Sequence, residues 1–112
     1  MFSEYYDRQG NPIDASTYSQ YHMNPVYKVV KQTNCYDGKW ISTVWLGLDH
    51  SFANRGTPVI FETMVFENRT HLREIACKRY TNEQEALDGH EQFVQQYNRE
   101  VLIEMRRRKY DD

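Results

Sequence analysis

Apolar positions are densest between Trp40 and Phe66, in two segments that a polar loop separates. The first segment reads WISTVWLGL and the second reads PVIFETMVF. Short apolar runs with many β-branched and aromatic residues are typical of β-strands. Both faces of the first segment are largely apolar. We therefore expect a central strand that is covered on both sides, or covered on one side and in contact with a partner on the other.

Two more strands are predicted around this pair. The segment from Val26 to Gln32 is rich in β-branched and aromatic residues, and Asp37-Gly38 is a dipeptide that favours a tight hairpin turn. A fourth strand is predicted at about Arg73 to Tyr80. Because the connections are too short for helical crossovers, we expect an antiparallel meander sheet within residues 26–80.

The N-terminal part of the chain predicts a turn followed by a short helix. Residues 1–13 place turn-forming residues between two short apolar flanks, which favours a turn or hairpin. Asp14 is a suitable N-cap for a helix over residues 14–23. Pro25 disfavours helical backbone at the residue before it, so this helix should end there.

The most regular helical pattern lies over residues 82–109, where one stripe recurs every three or four positions and can lie on the sheet. The stripe consists of Leu87, His90, Val94, Tyr97, Val101 and Met105. Thr81 followed by Gln84 resembles a capping box before this helix. At 1.5 Å per residue the helix would be about 42 Å long, whereas a nine-residue strand spans about 30 Å, so its end should project beyond the sheet.

These elements predict one α+β domain over residues 1–112. It consists of a four-stranded antiparallel meander sheet, a short N-terminal helix, and a long C-terminal helix packed on one face of the sheet. The length of 112 residues and the aromatic content of 14% suit a single well-filled core.

Charge and cysteine content exclude several classes of protein. Lys and Arg total 14 and Asp and Glu total 16, and the formal charge of −2 indicates neither a general nucleic-acid footprint nor an acidic DNA mimic. Cys35 and Cys77 are far apart and favour reduced thiols, with a structural disulfide as the alternative. The first residues lack a secretory pattern and no segment suits a membrane span, so we expect a cytoplasmic protein.

The candidate chemical groups follow no known catalytic or metal-binding spacing. Asp49 and His50 lie where a strand ends, which suits binding or acid–base chemistry, although Asp49 could equally bond loop amides and His50 could pack on Phe52. His90 lies on the helical stripe, which favours a buried neutral ring over a ligand or base. Gly89 beside it indicates close packing. No cofactor or metal is expected.

Further candidate residues lie outside the strands. The basic cluster Arg106, Arg107, Arg108 and Lys109 could contact phosphate or an acidic partner, with Tyr110 stacking beside it, or it could be a solvated helix end. The N-terminal tyrosines, beginning with Tyr5 and Tyr6, suit either a binding interface or packing at the edge of the core. Glu62 could pair across the sheet with Arg79 or Lys78.

Several segments together resemble a group of small phage and prophage proteins of uncharacterised function. The segments are WISTVWLGLDH from Trp40, IFETMVF from Ile60, RYT from Arg79, EALDGH from Glu85, and the opening Tyr6-Asp7 with Gly10 and Pro12-Ile13. They cover about half of the chain, and the basic end from Val101 onward has no counterpart. The resemblance implies a phage-related origin and supplies no activity.

We therefore expect a non-catalytic accessory protein in the cytoplasm of the host cell, which binds and modulates a host or phage protein complex. Inhibition of a host defence complex is one version of this. The first alternative is a small acid–base or metal-dependent enzyme that uses Asp49 and His50. The second is nucleic-acid binding through Arg106, Arg107, Arg108 and Lys109. The sequence leaves the oligomeric state open.

Overall fold

The computed structural model of the protein describes residues 4–51 and 56–110, and Tyr110 by its backbone alone. The elements in chain order are β1 (Tyr5–Tyr6), β2 (Pro12–Ile13), α1 (Ala15–His22), α2 (Pro25–Lys28), β3 (Val29–Asn34), β4 (Trp40–Trp45), β5 (Phe61–Phe66), β6 (Glu74–Tyr80) and α3 (Glu83–Tyr110). The strands β3 to β6 form an antiparallel sheet in sequence order, and α3 contacts all four of them. This confirms the predicted α+β fold with its meander sheet, short N-terminal helix and long C-terminal helix.

The chain after α1 differs from the prediction of a strand that starts at Val26. The Asn24 side chain caps α2 by accepting a hydrogen bond from the backbone N–H of Val26 at 3.1 Å, and Pro25 occupies the first turn. Proline is well suited there because its fixed φ is helical and the first-turn N–H groups have no helical partner. Residues 26–28 are therefore helical, and that part of the strand prediction was wrong.

The caps of the other two helices lie close to their predicted positions. Asp14 caps α1 as expected, and its carboxylate accepts from the backbone N–H of Thr17 at 2.7 Å. At α3 the capping box is shifted by one residue. Asn82 accepts from the N–H of Glu85 at 2.9 Å, and the Glu85 carboxylate accepts from the hydroxyl of Thr81 at 3.2 Å.

The core between α3 and the sheet consists of two apolar clusters. The first contains Trp45, Ile60, Phe61, Tyr80 and Ala86, and lies under the first turns of α3. The second contains Cys35, Ile41 and Val65, with Phe93, Val94 and Tyr97 of α3 packed against it. His90 follows Ala86 by one helical turn, so it lies between the two clusters.

The N-terminal segment packs beside α3, on the same side of the sheet. The N–H of Tyr6 donates to the carbonyl of Gly47 at 2.8 Å, and the indole Nε1–H of Trp45 donates to the carbonyl of Tyr6 at 3.0 Å. The rings of Tyr18, Tyr21 and Tyr27 surround Trp45, with centroid distances of 5.7, 6.2 and 5.0 Å. This aromatic layer covers the part of the sheet that α3 does not reach.

The far end of α3 extends past the sheet. The helix has 28 residues, and the molecule measures 65 Å along its longest axis but 27 and 20 Å across. The predicted projection of its basic end is therefore confirmed. No helix within residues 4–51 and 56–110 has the length and apolar character needed to cross a membrane.

Candidate functional site

The side of the sheet that faces away from α3 is the main candidate surface, and we call it the open face. Thr43 and Thr63 point toward α3, so their strand neighbours Ser42, Val44 and Met64 point the opposite way. In the described part of the chain, no helix packs on this opposite side. Among residues 4–51 and 56–110, β4 is therefore covered by helices on one side only.

One aromatic pair dominates the open face. Trp40 of β4 lies directly opposite Phe66 of β5, and their rings stack at a centroid distance of 5.3 Å. The guanidinium carbon of Arg69 lies 4.8 Å from the centroid of the Trp40 ring, within the range of a cation–π contact. Both rings are half-buried, so each retains surface that a partner can cover.

An ion pair holds the centre of the same face. Glu62 lies opposite Arg79, as predicted, and the Arg79 Nε donates to its carboxylate at 2.9 Å. The Glu62 side chain is only 9% exposed whereas that of Arg79 is 43% exposed. The hydrogen bond from Arg79 therefore compensates a carboxylate that would otherwise lose its hydration without replacement.

Exposed apolar residues concentrate at one end of the sheet, which we call the turn end. It comprises the β3–β4 turn, residues 35–39, and the β5–β6 loop, residues 67–73. Tyr36 is 72% exposed and Leu72 is 59% exposed there. Both lie at the end of the sheet that holds Trp40 and Phe66, because the two connections border the start of β4 and the end of β5.

The projecting part of α3 leaves the sheet at the turn end. Asn98 accepts a hydrogen bond from the backbone N–H of Tyr36 at 3.1 Å, and beyond it Leu102, Ile103 and Met105 are 49%, 45% and 60% exposed. A groove of about 340 Å³ lies between this part of the helix and Lys39. Exposed apolar side chains of the turn end and of the projecting helix therefore lie at the same end of the protein.

The predicted basic residues Arg106, Arg107, Arg108 and Lys109 are all exposed on these projecting turns. Arg108 Nε lies 3.5 Å from Glu104, an exposed pair that contributes little to stability. The side chain of Tyr110 lies outside the described part of the protein. The arrangement leaves the cationic groups available to a partner or to solvent.

The candidates Tyr5 and Tyr6 take part in packing. The ring of Tyr5 stacks on that of Tyr18 at 4.4 Å, and the backbone of Tyr6 makes the hydrogen bonds to Gly47 and Trp45 described above. Both side chains are half-buried. Their contacts fit the reading of the N-terminal tyrosines as packing at the edge of the core.

Asp49 ties together the two ends of the β4–β5 connection. Its carboxylate accepts from the backbone N–H groups of Val59 and Ser51, both at 2.9 Å. Burial acts to raise the pKa of the Asp49 carboxyl, but these hydrogen bonds outweigh it and hold the pKa below its ordinary value. The residue is therefore a charged acceptor for loop amides.

His50 is likewise engaged with the backbone. Its backbone N–H donates to the carbonyl of Val59 at 2.9 Å, and its ring Nδ1 lies 2.7 Å from the carbonyl oxygen of Leu48. Since a carbonyl only accepts, the ring must carry its proton on Nδ1 in this contact. Phe52, which the sequence offered as a packing partner, lies outside the described residues.

His90 forms a polar layer with three threonines between the two apolar clusters. The ring is completely buried, with its Nε2 at 2.8 Å from the hydroxyl oxygen of Thr33 and its Nδ1 at 2.7 Å from that of Thr43. The Thr43 hydroxyl is in turn 2.6 Å from that of Thr63. This matches the expectation of a buried, hydrogen-bonded histidine.

The threonine partners were not predicted from the sequence. Thr33, Thr43 and Thr63 lie on different strands, and only the register of the sheet places them under the same helical turn. A usable signal was present for Thr43 and Thr63, since each is the polar member of an otherwise apolar strand face. Without the register, that signal does not identify the histidine as their common partner.

The structure does not bring His50 and His90 together. His90 bonds to Thr43 in the middle of β4, whereas His50 lies beyond the end of that strand in the connection to β5. Within residues 4–51 and 56–110, no group of three or more His, Cys, Asp or Glu side chains is arranged to hold a metal ion.

Both cysteines are free thiols. Cys35 is a buried residue and Cys77 an exposed one. Partial desolvation of the thiol group raises the pKa of each.

Comparison with known proteins adds no relative to this description. No protein-family model, curated protein or solved structure matches the chain.

Proposed function

We propose that this protein is a non-catalytic, phage-related accessory protein that binds a host or phage protein complex and modulates it. The contact surface is the open face together with the turn end. The phage origin rests on the sequence resemblance described above, and inhibition of a host defence complex is one form that the modulation could take. The binding function rests on the structure's surface.

The observation that carries the proposal is the Trp40–Phe66 pair on a sheet face without a covering helix. Tryptophan and arginine are enriched among the residues that dominate protein interfaces, and here Arg69 lies over the Trp40 ring. Leu72 and Tyr36 extend this surface with exposed apolar area. Large contiguous apolar patches on a protein surface are typical of binding sites.

The residues considered for acid–base chemistry support a binding protein over an enzyme. The Asp49 carboxylate is occupied by loop amides, and His90 is sealed beneath α3 with both ring nitrogens bonded. A general base needs access to a substrate proton within hydrogen-bond reach. Neither group offers that access in this arrangement.

The experiment is affinity capture from lysates of host cells and of infected cells, with captured proteins identified by mass spectrometry. The test variants are Arg69→Glu and Leu72→Glu, which place negative charge on the proposed surface without removing a buried side chain. The matched control is Val26→Glu, because Val26 is 86% exposed and lies on α2, away from the turn end.

We expect a partner that the wild type and Val26→Glu both retain and that Arg69→Glu and Leu72→Glu both lose. Thermal unfolding must show that the three variants fold alike. Capture of no common partner by the wild type, or equal capture by all variants, contradicts the proposal.

A second candidate is nucleic-acid binding, which the exposed cluster at Arg106 to Lys109 favours. Binding through phosphate contacts falls steeply with salt concentration. Fluorescence anisotropy with a labelled duplex and a labelled single strand at two salt concentrations tests it, with Arg106→Glu/Arg107→Glu as the variant. Absent or salt-insensitive binding removes this candidate.

A further inference from the structure

The imidazole of His90 is held between the two apolar clusters, and its hydrogen-bond partners are neutral. A neutral imidazole has one N–H and one free lone pair, and a hydroxyl can either donate or accept. Thr33 and Thr43 can therefore satisfy both ring nitrogens in either tautomer. The layer is complete as long as the ring carries a single proton.

A second proton would change the charge of the layer more than its hydrogen bonding. Both ring nitrogens would then donate hydrogen bonds, and the two threonine hydroxyls would accept them. The Thr43 hydroxyl would in turn donate a hydrogen bond to the Thr63 hydroxyl, 2.6 Å away. The hydrogen bonds survive by rotation of the hydroxyls. The positive charge, however, would have only neutral hydroxyls around it in a fully buried site, which is strongly unfavourable.

The charged groups nearest to the ring do not supply a counter-ion. Lys31 on β3 lies opposite Thr43 across the strand pair, and Glu91 follows His90 on α3. Their side chains are 44% and 50% exposed and bind each other at 2.6 Å, so the carboxylate is already committed to the lysine. On β4 and β5 the layer holds the uncharged Thr43 and Thr63. Lys78 of β6, opposite Thr63 and beside Gly89, adds a second cation on this side of the sheet and no counter-ion. Burial lowers the pKa of His90 below its ordinary value of 6.5, Lys31 lowers it further, and Glu91 acts weakly in the other direction.

We propose that His90 makes the docking of α3 on the sheet dependent on pH. With a neutral ring the threonine layer holds the helix in place. Protonation favours a state in which the histidine leaves the layer for water, and the helix leaves the sheet with it. The N-terminal aromatic layer meets α3 only at its first turns, where Tyr18, Tyr21 and Tyr27 pack on the cluster that contains Ala86 and Arg8 binds Glu83.

The direction of the effect follows from proton binding. The released state takes up a proton near the ordinary pKa, whereas the docked state does so only at lower pH. Docking is therefore fully stable above about pH 6.5 and weakens as the pH falls below that value, until the docked state also protonates. In this window the equilibrium constant for release rises up to about tenfold for each unit of pH.

The first measurement is hydrogen–deuterium exchange of the whole protein between pH 7.5 and pH 5, corrected for the intrinsic pH dependence of exchange. Amides of α3 from residues 86 to 98 should lose protection as the pH falls, before those of β4 and β5. The same loss should be absent in His90→Asn, which has no ionisable ring. His71→Asn is the matched control, because His71 is an exposed histidine in the β5–β6 loop and should behave as the wild type.

The second measurement keeps the proposal testable if His90→Asn does not fold. The ring of His90 is titrated in the wild-type protein by NMR, and its pKa should lie below 6.5. A ring pKa at or above 6.5 overturns the proposal, as does equal pH dependence in the wild type and His90→Asn. Simultaneous loss of protection in α3 and in the sheet also overturns it, because the proposal requires the helix to leave first.

Discussion

Gly89 of α3 lies directly against the ring of Tyr80 on β6, so that a Cβ built on Gly89 would be 2.5 Å from the ring carbon Cζ and closer still to the hydroxyl oxygen. The glycine is therefore the site of closest approach between the helix and the sheet at this point. It explains why a residue that weakens a helix stands one position before His90.

Gly89→Ala should destabilise the protein by up to about 2 kcal/mol. The gain in helix propensity, about 1 kcal/mol, is outweighed by the clash with Tyr80, since overpacking costs about 1–3 kcal/mol. Urea denaturation measures the difference. Gln92→Ala, at an exposed position of the same helix, is the control and should change stability little. A stabilising effect of Gly89→Ala would mean that the Tyr80 ring moves aside at no cost.

Tyr80→Phe should leave the protein as stable as the wild type or slightly more stable. The Tyr80 hydroxyl is buried and makes no hydrogen bond of normal geometry with the described residues, and an unsatisfied buried hydroxyl is costly. Its pKa is raised by burial and partly lowered again by the Thr63 hydroxyl nearby. A loss of about 1 kcal/mol or more in urea denaturation would show that Tyr80 extends the threonine layer.

Gly47→Ala should cost about 2–5 kcal/mol, because two penalties add. The φ of +75° costs an L-residue about 1–2 kcal/mol, and the new Cβ would lie 2.5 Å from the Trp45 ring and 2.7 Å from that of Tyr18. Gly38→Ala is the matched control, since its φ of +92° faces open space. The difference between the two variants in urea denaturation isolates the packing penalty, and equal losses would argue against it.

Asp49→Ala should destabilise the protein by about 1–2 kcal/mol at neutral pH, because the backbone N–H groups of Val59 and Ser51 lose a charged acceptor. The native pKa of Asp49 lies below its ordinary value of 3.8. Its contribution is therefore present above that value and is lost as the pH falls through the lowered native pKa.

The pH dependence of Asp49 is checked by unfolding the wild type and Asp49→Ala in urea at pH 7 and in steps from pH 5 toward pH 2. The difference between them should shrink in the acidic steps. Asp49→Asn keeps an oxygen acceptor without the charge, so it should retain part of the stability and lose the pH dependence. A difference that stays constant with pH would exclude the charged form as its source.

Removal of the residues after Val101 should leave the fold intact, with a change in the free energy of unfolding of about 0.5 kcal/mol or less. Residues 102–109 are exposed and contribute no side chain to either apolar cluster. Truncation after Gln92 is the contrasting variant, since it also removes Phe93, Val94 and Tyr97 and should lower the free energy of unfolding far more. Loss of the fold on removal of the residues after Val101 would contradict the placement of the core.

The elements that local pattern decides were predicted well. Some features depend on residues close together in sequence, so they can be recognised without the fold. These are the strand-like segments of β4 and β5, the Asp14 cap and the long stripe of α3. The Glu62–Arg79 pair also followed, because neighbouring strands of a meander limit the choice of partners. Helix α2 was missed, although Asn24 before Pro25 is an ordinary start signal for a short helix.

The surfaces could not be predicted from the sequence, because they depend on which side of the sheet the helices choose. Both faces of β4 carry apolar residues, and the pattern alone does not distinguish Trp45, under the tyrosines, from Trp40, on the open face. The threonine layer around His90 required the register of three strands. The candidate surface was therefore visible only as a surplus of apolar and aromatic residues.

The attachment of the N-terminal hairpin to Gly47 and Leu48 has a consequence for synthesis. The hairpin leaves the ribosome before β4, so it has no docking site until β4 and the start of its connection to β5 have also emerged. Until then the tyrosines of this segment remain in contact with water. We expect the hairpin and α1 to join a sheet that is already pairing, so both are among the later parts to reach their native position.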